Sequence, residues 1–526
     1  MNRDRQDRGG GSRRDQHGDR RETRGGPQRH RNAKGRERSG SRGRGGPRRG
    51  FSRQRPGERR RESTPSRRAA FEAMQAVALD DAYANLVLPS ILRRHRVDAR
   101  DAAFTTELFY GALRAQGRLD TVIAACVDRP LDQIETAVLN VLRLGAYQML
   151  DMNVAPHAAA SETVGLARDV TGAGAAGFVN AVLRRISEKS AQEWIQEVAP
   201  TREENEAAHL AVVHSHPEWI VRALTDALRI HGRSAAEIDD LLTAHNTAPQ
   251  IDLVMRPGLT DEDELADAGA EKGRWSVFGM GWPGGDPGRI PAVNEGRAAV
   301  QDEGSQMVAL ALALGADSLV EGDTGRWLDL CAGPGGKTAL LAGLSVEQGA
   351  EVLAVEVQEH RTGLVEKSVA TLVDAGAEVD CITADGTTIG TDRPGEFSRI
   401  LADVPCSGLG ALRRRPESRW RRQPGDLAQL GRLQRSLLAS ALDAAAPGGV
   451  IAYVTCSPHA AETVLIVKDV LRRRDDAEVV DARDAVQAGL RADAGDAHLG
   501  DGPFVQLWPH IHGTDAMFLA LIKKKA

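Results

Sequence analysis

Two cysteines in the C-terminal half of the chain stand where a nucleophile could act. Cys406 follows the predicted strand Arg399–Asp403 and Cys456 follows the predicted strand Val450–Thr455, each in a loop with proline and serine. If these strands are parallel neighbours, their carboxyl ends meet at one edge of a sheet and both thiols enter the same crevice. A deprotonated thiol forms covalent intermediates readily. The spacing therefore predicts covalent chemistry at this edge.

Other uses of the cysteines agree less well with the sequence. Zinc binding through Cys406, Cys456 and His459 lacks an evident fourth ligand, so no metal site is predicted. Five cysteines in 526 residues, without a Cys-x-x-Cys pair, are typical of reduced thiols in the cytoplasm and disfavour a disulfide. The remaining three are expected to be small buried side chains: Cys126, Cys331 and Cys381.

A glycine-rich turn follows another predicted strand, Trp327–Cys331. It reads Gly333-Pro334-Gly335-Gly336-Lys337 and leads into a helix. Glycines let the backbone approach a ligand closely at the carboxyl edge of a sheet. The spacing matches neither the Walker A loop nor the Gly-x-Gly-x-x-Gly pattern. The turn therefore predicts a cofactor site that is not built for a nicotinamide dinucleotide.

Two carboxylates end the next two predicted strands, Val352–Val355 and Cys381–Thr383. Glu356 stands twenty residues after Gly336, where a carboxylate can accept hydrogen bonds from ribose hydroxyls. Asp385 follows the third strand, where it can meet an adenine edge. Each acid alone is typical of a solvated loop. Binding elements at three successive strand ends instead favour one nucleoside-containing ligand.

These loops require a sheet that brings the strand ends together. From residue 326 onward, short β-like runs alternate with helical stretches, which predicts a mostly parallel sheet with helices on both faces. We expect an α/β, Rossmann-like domain over residues 326–526. Two further runs complete the predicted strands: Phe504–Leu507 and Met517–Leu521.

Two domains are predicted before residue 326. Residues 69–200 show apolar side chains at helical spacing and predict an all-α bundle. Residues 201–325 combine a helical stretch, Trp219–Ile230, with short apolar runs such as Ile251–Met255. This third region is expected to be a linker and a small α+β module.

The first 68 residues have a different composition from the rest. They hold 24 Lys and Arg against 8 Asp and Glu, a net charge of +16, whereas the remaining chain carries −21. So many charges with almost no aliphatic residues predict a disordered tail. Such a tail can bind polyanions through counterion release. A dispensable, solubilising extension is the alternative.

Two segments of the helical region resemble the NusB-like RNA-binding fold. They are Arg143-Leu144-Gly145-Ala146-Tyr147-Gln148 and Gly177-Phe178-Val179-Asn180-Ala181-Val182-Leu183-Arg184. The resemblance implies a bundle that binds RNA or a partner and does not catalyse.

The glycine turn and its carboxylates resemble the class I S-adenosylmethionine (SAM) methyltransferases. The resemblance implies SAM as cofactor, a ligand that has no pyrophosphate. The cofactor-binding residues that it implies are Cys331, Ala332, Gly333, Pro334, Gly335, Gly336, Lys337, Glu356, Asp385 and Asp403.

The segments around the two cysteines resemble the NOL1/NOP2/Sun family of RNA cytosine-C5 methyltransferases. They are Asp403-Val404-Pro405-Cys406-Ser407-Gly408 and Thr455-Cys456-Ser457-Pro458. The resemblance implies that Cys456 is the nucleophile on cytosine carbon 6 and that Cys406 assists product release. Asp403 would contact ring nitrogen 3, and Lys337 belongs to the same catalytic group.

Three more segments agree with this family. They are Val300–Gln306, His512–Asp515 and the basic run Arg413–Trp420, which is expected to line an RNA groove and contact phosphates. One position departs from the family pattern: Thr463 follows Glu462 where asparagine is usual, a change that affects one local hydrogen bond.

A NusB-like bundle before this methyltransferase domain is the layout of the bacterial Sun/Fmu subgroup. The resemblance implies methylation of a cytidine in 16S ribosomal RNA. The composition and the cysteine content predict a cytoplasmic protein, and a monomer is expected because nothing in the sequence suggests an obligate oligomer. Transfer RNA is the alternative substrate, and a non-catalytic RNA-binding assembly or antitermination factor is the alternative function. No long apolar run indicates a membrane segment.

Overall fold

The computed structural model describes residues 63–152 and 154–526. The tail expected to be disordered, residues 1–68, lies outside them except for its last six residues. The first helix, α1, spans Pro65–Leu79, so the expected boundary falls inside a helix. Proline suits the first helical position because its φ is fixed. Arg67 Nε also donates to Gln148 Oε1 at 2.8 Å, which ties this turn to the bundle.

Eight helices form the N-terminal bundle, which confirms the all-α fold predicted there. They are α1 Pro65–Leu79, α2 Ala84–His95, α3 Ala99–Arg114, α4 Gln116–Ala125, α5 Thr136–Leu150, α6 Pro156–Val170, α7 Ala173–Ile186 and α8 Ala191–Val198. Ten residues of α5 are buried, so other elements surround this helix on most sides. A Cβ at Gly111 of α3 would lie 2.0 Å from the Tyr147 ring, so the close packing of α3 on α5 needs glycine.

The middle region contains three helices followed by a small antiparallel sheet in the strand order β2-β3-β1-β4, with two shorter helices in the connections of the sheet. Its elements are α9 Glu206–Val213, α10 Glu218–Ile230, α11 Ile238–Asn246, β1 Ile251–Met255, α12 Glu262–Asp267, β2 Glu271–Lys272, β3 Gly279–Trp282, α13 Pro291–Asn294 and β4 Ala298–Val300. The apolar faces of the three helices share one core with Leu409, Leu412 and Trp508. They therefore pack on the last domain.

The last domain is a mixed sheet between helices. Its elements are α14 Glu303–Ala313, β5 Arg326–Asp329, α15 Gly336–Gln348, β6 Glu351–Glu356, α16 Glu359–Asp374, β7 Val379–Thr383, α17 Ile389–Asp392, β8 Phe397–Asp403, α18 Ser418–Arg421, α19 Asp426–Ala444, β9 Ala445–Thr455, α20 Val464–Leu471, β10 Ala477–Val480, α21 Arg483–Ala488, β11 Val505–Gln506, α22 Pro509–His512 and β12 Phe518–Lys524. The predicted Rossmann-like class is confirmed.

The strand order β10-β12-β9-β8-β5-β6-β7 determines where a ligand can bind. Strands β5 to β9 are parallel to one another, whereas β12 runs antiparallel to β9 and to β10. The chain moves outward from β5 through β6 and β7, then returns to the other side of β5 as β8. Such a reversal opens a crevice at the carboxyl ends of the strands.

The described parts of the chain contain neither a membrane-spanning helix nor a cluster of metal ligands. Among their helices, none has the length and apolar character needed to cross a bilayer. In the same residues, His, Cys, Asp and Glu side chains form no group of three or more that could hold a metal ion.

Candidate active site

The glycine turn between β5 and α15 is packed too tightly for side chains. Gly335 has a φ of +103°, and a Cβ on it would lie 2.7 Å from the Ser368 Cβ. A Cβ on Gly333 would lie 2.2 Å from Glu356 Oε2. Glycine is therefore required at both positions, by conformation at one and by space at the other.

An ion pair between a buried glutamate and a partly exposed arginine holds the start of this turn. Glu356 ends β6 and is 4% exposed, and its Oε2 lies 3.1 Å from Arg361 Nη1. Arg361 Nη2 donates to the Gly333 carbonyl at 2.5 Å. Arg361 was not predicted from the sequence. Its position five residues after Glu356, the acid that ends β6, could have indicated that it pairs with this acid.

Asp385 lies on the rim of the crevice. It is exposed in the loop after β7 and accepts hydrogen bonds from the backbone N–H and the hydroxyl of Thr387, at 2.9 and 2.8 Å. The next residue, Gly386, faces the Leu330 carbonyl, because a Cβ on it would lie 3.0 Å from that oxygen. The structure thus brings this loop to the end of β5.

Asp329, the last residue of β5, is buried in the floor of the site. Its Oδ2 accepts from the Thr338 hydroxyl at 2.7 Å, whereas Oδ1 has no partner among the described residues. Burial raises the pKa of Asp329 to about 7, and the hydrogen bond from Thr338 offsets this only in part. Asp329 was not among the predicted site residues, although it ends the strand before the turn.

Lys337 and Asp403 form an ion pair across the crevice. Lys337 Nζ, on the first turn of α15, donates to Asp403 Oδ2 at the end of β8 at 2.6 Å. Burial alone would lower the pKa of Lys337, but the charges of Asp403 and Cys456 and the hydrogen bond raise it. The ammonium therefore stays charged close to the Cys456 sulfur.

Cys406 and Cys456 lie side by side. β8 pairs with β9 in parallel, with Asp403 opposite Val454, and the two sulfurs beyond these residues are 3.2 Å apart. Both thiols are partly exposed. The hydrogen bond with Cys456, followed by burial, raises the pKa of Cys406 well above its ordinary value.

The three other cysteines are not all buried, although burial was expected for each of them. Cys126 is buried, as predicted, but Cys331 and Cys381 are only partly buried because they flank the crevice edge and an outer strand.

Glu462 fastens both cysteine loops. Its buried carboxylate accepts from the Ser407 N–H at 2.7 Å, the Ser407 hydroxyl at 2.5 Å and the Ser457 hydroxyl at 2.7 Å. Each serine follows one of the cysteines, so one carboxylate holds both loops at a fixed separation. Thr463, which follows Glu462, donates to the His459 carbonyl at 3.0 Å.

The expectation of phosphate contacts is wrong for Arg413 and Arg414. Arg413 is 7% exposed and lies 2.9 Å from Asp302 and 3.0 Å from Asp515. Arg414 pairs with the same two acids and with Asp252 at 2.6 Å. Carboxylates from three distant segments neutralise the two arginines, so neither is available to RNA.

The rest of the basic run joins the bundle to the catalytic domain. Arg419 is fully buried and donates to the Arg114 carbonyl at 3.0 Å and to the His245 carbonyl at 2.9 Å. Arg421 donates to two carbonyls near the end of α1. Arg422 Nε returns to the Ser407 carbonyl at 3.1 Å, so the same segment reaches the Cys406 loop. Arg415 is exposed, with its guanidinium 5.1 Å from the Tyr83 ring centre.

Comparisons with known proteins agree with this layout. Residues 64–188 match the NusB family, and residues 317–523 match the family described as 16S rRNA methyltransferase RsmB/F. The Rv1407 protein of Mycobacterium tuberculosis is 50% identical over 469 residues, covering 89% of this chain and 98% of that protein.

Two further relatives carry a functional name, ribosomal RNA small subunit methyltransferase B. The Pseudomonas putida protein is 32% identical over 433 residues, covering 81% of this chain and 92% of that protein. The Vibrio cholerae protein is 31% identical over 469 residues, covering 87% of this chain and 96% of that protein. The crystal structure of PH0851 has the same fold, with a TM-score of 0.69 at 22% identity over 88% of this chain and 98% of that chain.

The fold, the site and these relatives define a methyltransferase domain preceded by a NusB domain. More particularly, the chain belongs to the RsmB/F family of 16S ribosomal RNA methyltransferases. The resemblance predicted from short segments is therefore confirmed at the level of the family.

Proposed function

We propose that this protein uses SAM to methylate carbon 5 of a cytidine in small-subunit ribosomal RNA, through a covalent bond between Cys456 and the base. One observation carries the proposal: the two sulfurs lie 3.2 Å apart at the ends of neighbouring strands, in the crevice that also holds the Lys337–Asp403 pair. Carbon 5 of cytosine becomes nucleophilic once a thiolate has added to carbon 6. A thiol at the methyl-transfer site meets this requirement.

The residues around the glycine turn fit SAM. The glycines let the backbone of the turn lie directly against Glu356, which places that carboxylate beside the turn. Glu356 would accept hydrogen bonds from the ribose hydroxyls, and Asp385 would meet the adenine edge from the rim. The backbone from Cys331 to Lys337 would line the cofactor. When bound, SAM supplies a methyl group on a positively charged sulfur.

Cys456 is the proposed nucleophile. Its sulfur forms a bond to carbon 6, and the electron pair of the 5–6 double bond moves into the ring toward nitrogen 3. The Lys337 ammonium would stabilise the charge that develops at this nitrogen, and Asp403, once it has taken up a proton, would donate a hydrogen bond to it. Carbon 5 then has enamine character and can accept the methyl group.

Cys406 is proposed to assist release. After methylation, a base removes the carbon-5 proton, the 5–6 double bond re-forms, and the bond between carbon 6 and the Cys456 sulfur breaks. Its raised pKa keeps Cys406 protonated, and 3.2 Å separates its sulfur from the departing one. Cys406 can therefore return a proton to that thiolate, and it regains one from the base that removed the carbon-5 proton.

Transfer of a labelled methyl group tests the reaction and its substrate. SAM labelled in the methyl group is incubated with immature small subunits, free ribosomal RNA or total transfer RNA, and the nucleosides are analysed after digestion. We expect the label in 5-methylcytidine of small-subunit ribosomal RNA. Label confined to transfer RNA would support the alternative substrate, and no label in any RNA would support a binding factor.

Removal of the nucleophile tests the assignment of Cys456. We expect Cys456→Ala to lower methyl transfer by more than about a thousandfold, because no adduct at carbon 6 can form. Cys126→Ala, which removes a thiol in the N-terminal bundle, should keep its activity. Full activity of the Cys456→Ala protein would show that another group attacks the base.

A further inference from the structure

The side chain of Gln301 is buried without a hydrogen-bond partner. It lies in the loop between β4 and α14 and is 8% exposed, and neither its amide oxygen nor its amide nitrogen has a partner in the described part of the chain. A buried amide that loses its hydrogen bonds to water without gaining others destabilises the fold. Such a group therefore calls for an explanation.

The neighbours of Gln301 already have structural roles. Asp302 pairs with Arg413 at 2.9 Å, and Glu303 accepts from the backbone N–H groups of Trp275 and Ser276 at 2.9 and 3.0 Å. The backbone of Gln301 is also held on both sides. Its N–H donates to the Asp252 carbonyl and its carbonyl accepts from the Gln306 amide, both at 2.9 Å. The side-chain amide alone is left without a role.

This amide faces the glycine turn. Its Cδ, Oε1 and Nε2 lie 3.6, 3.6 and 3.7 Å from the point where a Cβ on Gly336 would stand. Gly336 begins α15, and the backbone N–H groups of a helix start point toward a bound ligand. The helix that follows Gln301, α14, packs on α15, β8 and β9. Gln301 thus approaches the turn from the side of the two thiols, whereas Glu356 and Arg361 approach it at Gly333.

We propose that Gln301 binds the amino-acid end of SAM. That end carries one ammonium and one carboxylate, which complement the acceptor and the donor of an amide. The ribose and the adenine are assigned to Glu356 and Asp385, on the side of β6 and β7. The amino-acid end then extends toward β8, where the methyl group must reach the cytosine. This inference rests on the proposed use of SAM.

Two ligands that differ only in that end provide the test. S-adenosylhomocysteine keeps the amino-acid end, and 5′-methylthioadenosine lacks it. By calorimetry on the full chain, Gln301→Met should bind S-adenosylhomocysteine roughly ten- to a hundredfold more weakly than wild type, the loss expected for hydrogen bonds to charged groups. Its affinity for methylthioadenosine should stay within about twofold. Gln348→Ala, at the far end of α15, should match wild type with both ligands.

Thermal unfolding separates a binding defect from a folding defect. Methionine has nearly the length of glutamine and removes an amide that bonds to nothing, so the ligand-free Gln301→Met protein should unfold no lower than wild type. The rise in its unfolding temperature on adding S-adenosylhomocysteine should be smaller than the rise measured for wild type. Gln301→Glu, which places a negative charge beside the ligand carboxylate, should weaken S-adenosylhomocysteine binding further.

Three results would overturn the inference. If the substitution weakened the binding of both ligands equally, Gln301 would act on the nucleoside that the two ligands share. Unchanged affinity for both would exclude contact with the cofactor, and a raised KM for RNA alone would make Gln301 a base contact. If the wild-type protein bound neither ligand, the cofactor of the proposed function would fail as well, a result that does not depend on any Gln301 variant.

Discussion

At the residue scale, the closeness of the two sulfurs limits the charge that the pair can carry. Two thiolates 3.2 Å apart would repel each other strongly, so only one can be charged at a time. The hydrogen bond with Cys456 and burial raise the pKa of Cys406, which agrees with its proposed role as the proton donor. A pair that carries only one charge suits the proposed reaction, in which one sulfur attacks the base and the other donates a proton.

Loss of Cys406 should trap the covalent intermediate. In Cys406→Ala, Cys456 can still attack carbon 6, but its departure lacks the neighbouring proton donor. We expect a protein–RNA adduct that survives denaturing electrophoresis, with turnover reduced by more than about a hundredfold. Cys406→Ala/Cys456→Ala provides the control and should form no adduct. An adduct that persisted in the double variant would assign the attacking group elsewhere.

Asp329 should make stability depend on pH. The pKa of this carboxyl is about 7 in the folded protein, whereas the unfolded chain loses the same proton near pH 4. Between these values the folded state binds more protons, so its stability falls as pH rises. Asp329→Asn removes this contribution. Between pH 5 and pH 8, wild type should lose up to about 3 kcal/mol of unfolding free energy relative to the variant, measured by urea unfolding.

The comparison with Asp329→Asn cancels the other titrating groups. Burial also raises the pKa of Asp252 to about 7, but that residue is present in both proteins. Parallel pH profiles for wild type and variant would show that Asp329 does not hold a proton in the folded state.

At the element scale, the segment around α18 connects the last domain to the N-terminal bundle and to the middle region. Within residues 63–152 and 154–526, no acid pairs with Arg419, and burial lowers its pKa to about 9. Four acceptors nevertheless surround its guanidinium: the carbonyls of Arg114, Ser215 and His245 and the side-chain oxygen of Asn246. Arg419→Met would leave these acceptors without a donor. We expect the unfolding free energy to fall by about 3 kcal/mol.

A second arginine provides the control for Arg419. Arg435 pairs with Asp469 at 2.7 Å but is 42% exposed, so Arg435→Met should cost less than about 1 kcal/mol. Urea unfolding measures both changes. Equal small losses would mean that water replaces the buried contacts of Arg419.

The strands were predictable where apolar runs fill the centre of the sheet. β10, Ala477–Val480, was missed because it is an edge strand with only one fully buried residue, which leaves little apolar signal. The expected strand Phe504–Leu507 is shortened to Val505–Gln506, since Trp508-Pro509 begins α22.

The site was predictable where its residues follow adjacent strands. Cys406 and Cys456 meet because β8 and β9 are parallel neighbours. The alternation of short β-like runs with helical stretches indicates such a parallel arrangement. The surroundings of Arg413 and Arg414 depend on Asp302 and Asp515, each more than 100 residues away. No local pattern encodes such pairings, and a basic run looks the same whether it faces RNA or buried acids.

At the scale of the whole molecule, positive charge is concentrated in the N-terminal segment. Residues 1–62 hold 22 Lys and Arg against 8 Asp and Glu, whereas the whole chain has a net charge of −5. The rest of the chain is therefore strongly acidic and should repel RNA at long range. Several arginines outside the segment are also neutralised by acids, Arg413 and Arg414 among them. We infer that the segment supplies most of the long-range attraction to RNA.

Removal of residues 1–62 tests this division of charge and leaves α1 intact, because that helix begins at Pro65. Each lysine or arginine that contacts a phosphate steepens the dependence of affinity on salt. The truncated protein should therefore bind RNA more weakly at about 50 mM salt, with a difference that shrinks toward 300 mM. A Gly/Ser segment of equal length should behave like the truncation, and kcat at saturating RNA should not change. An unchanged slope of affinity against salt would show that the folded domains provide the phosphate contacts.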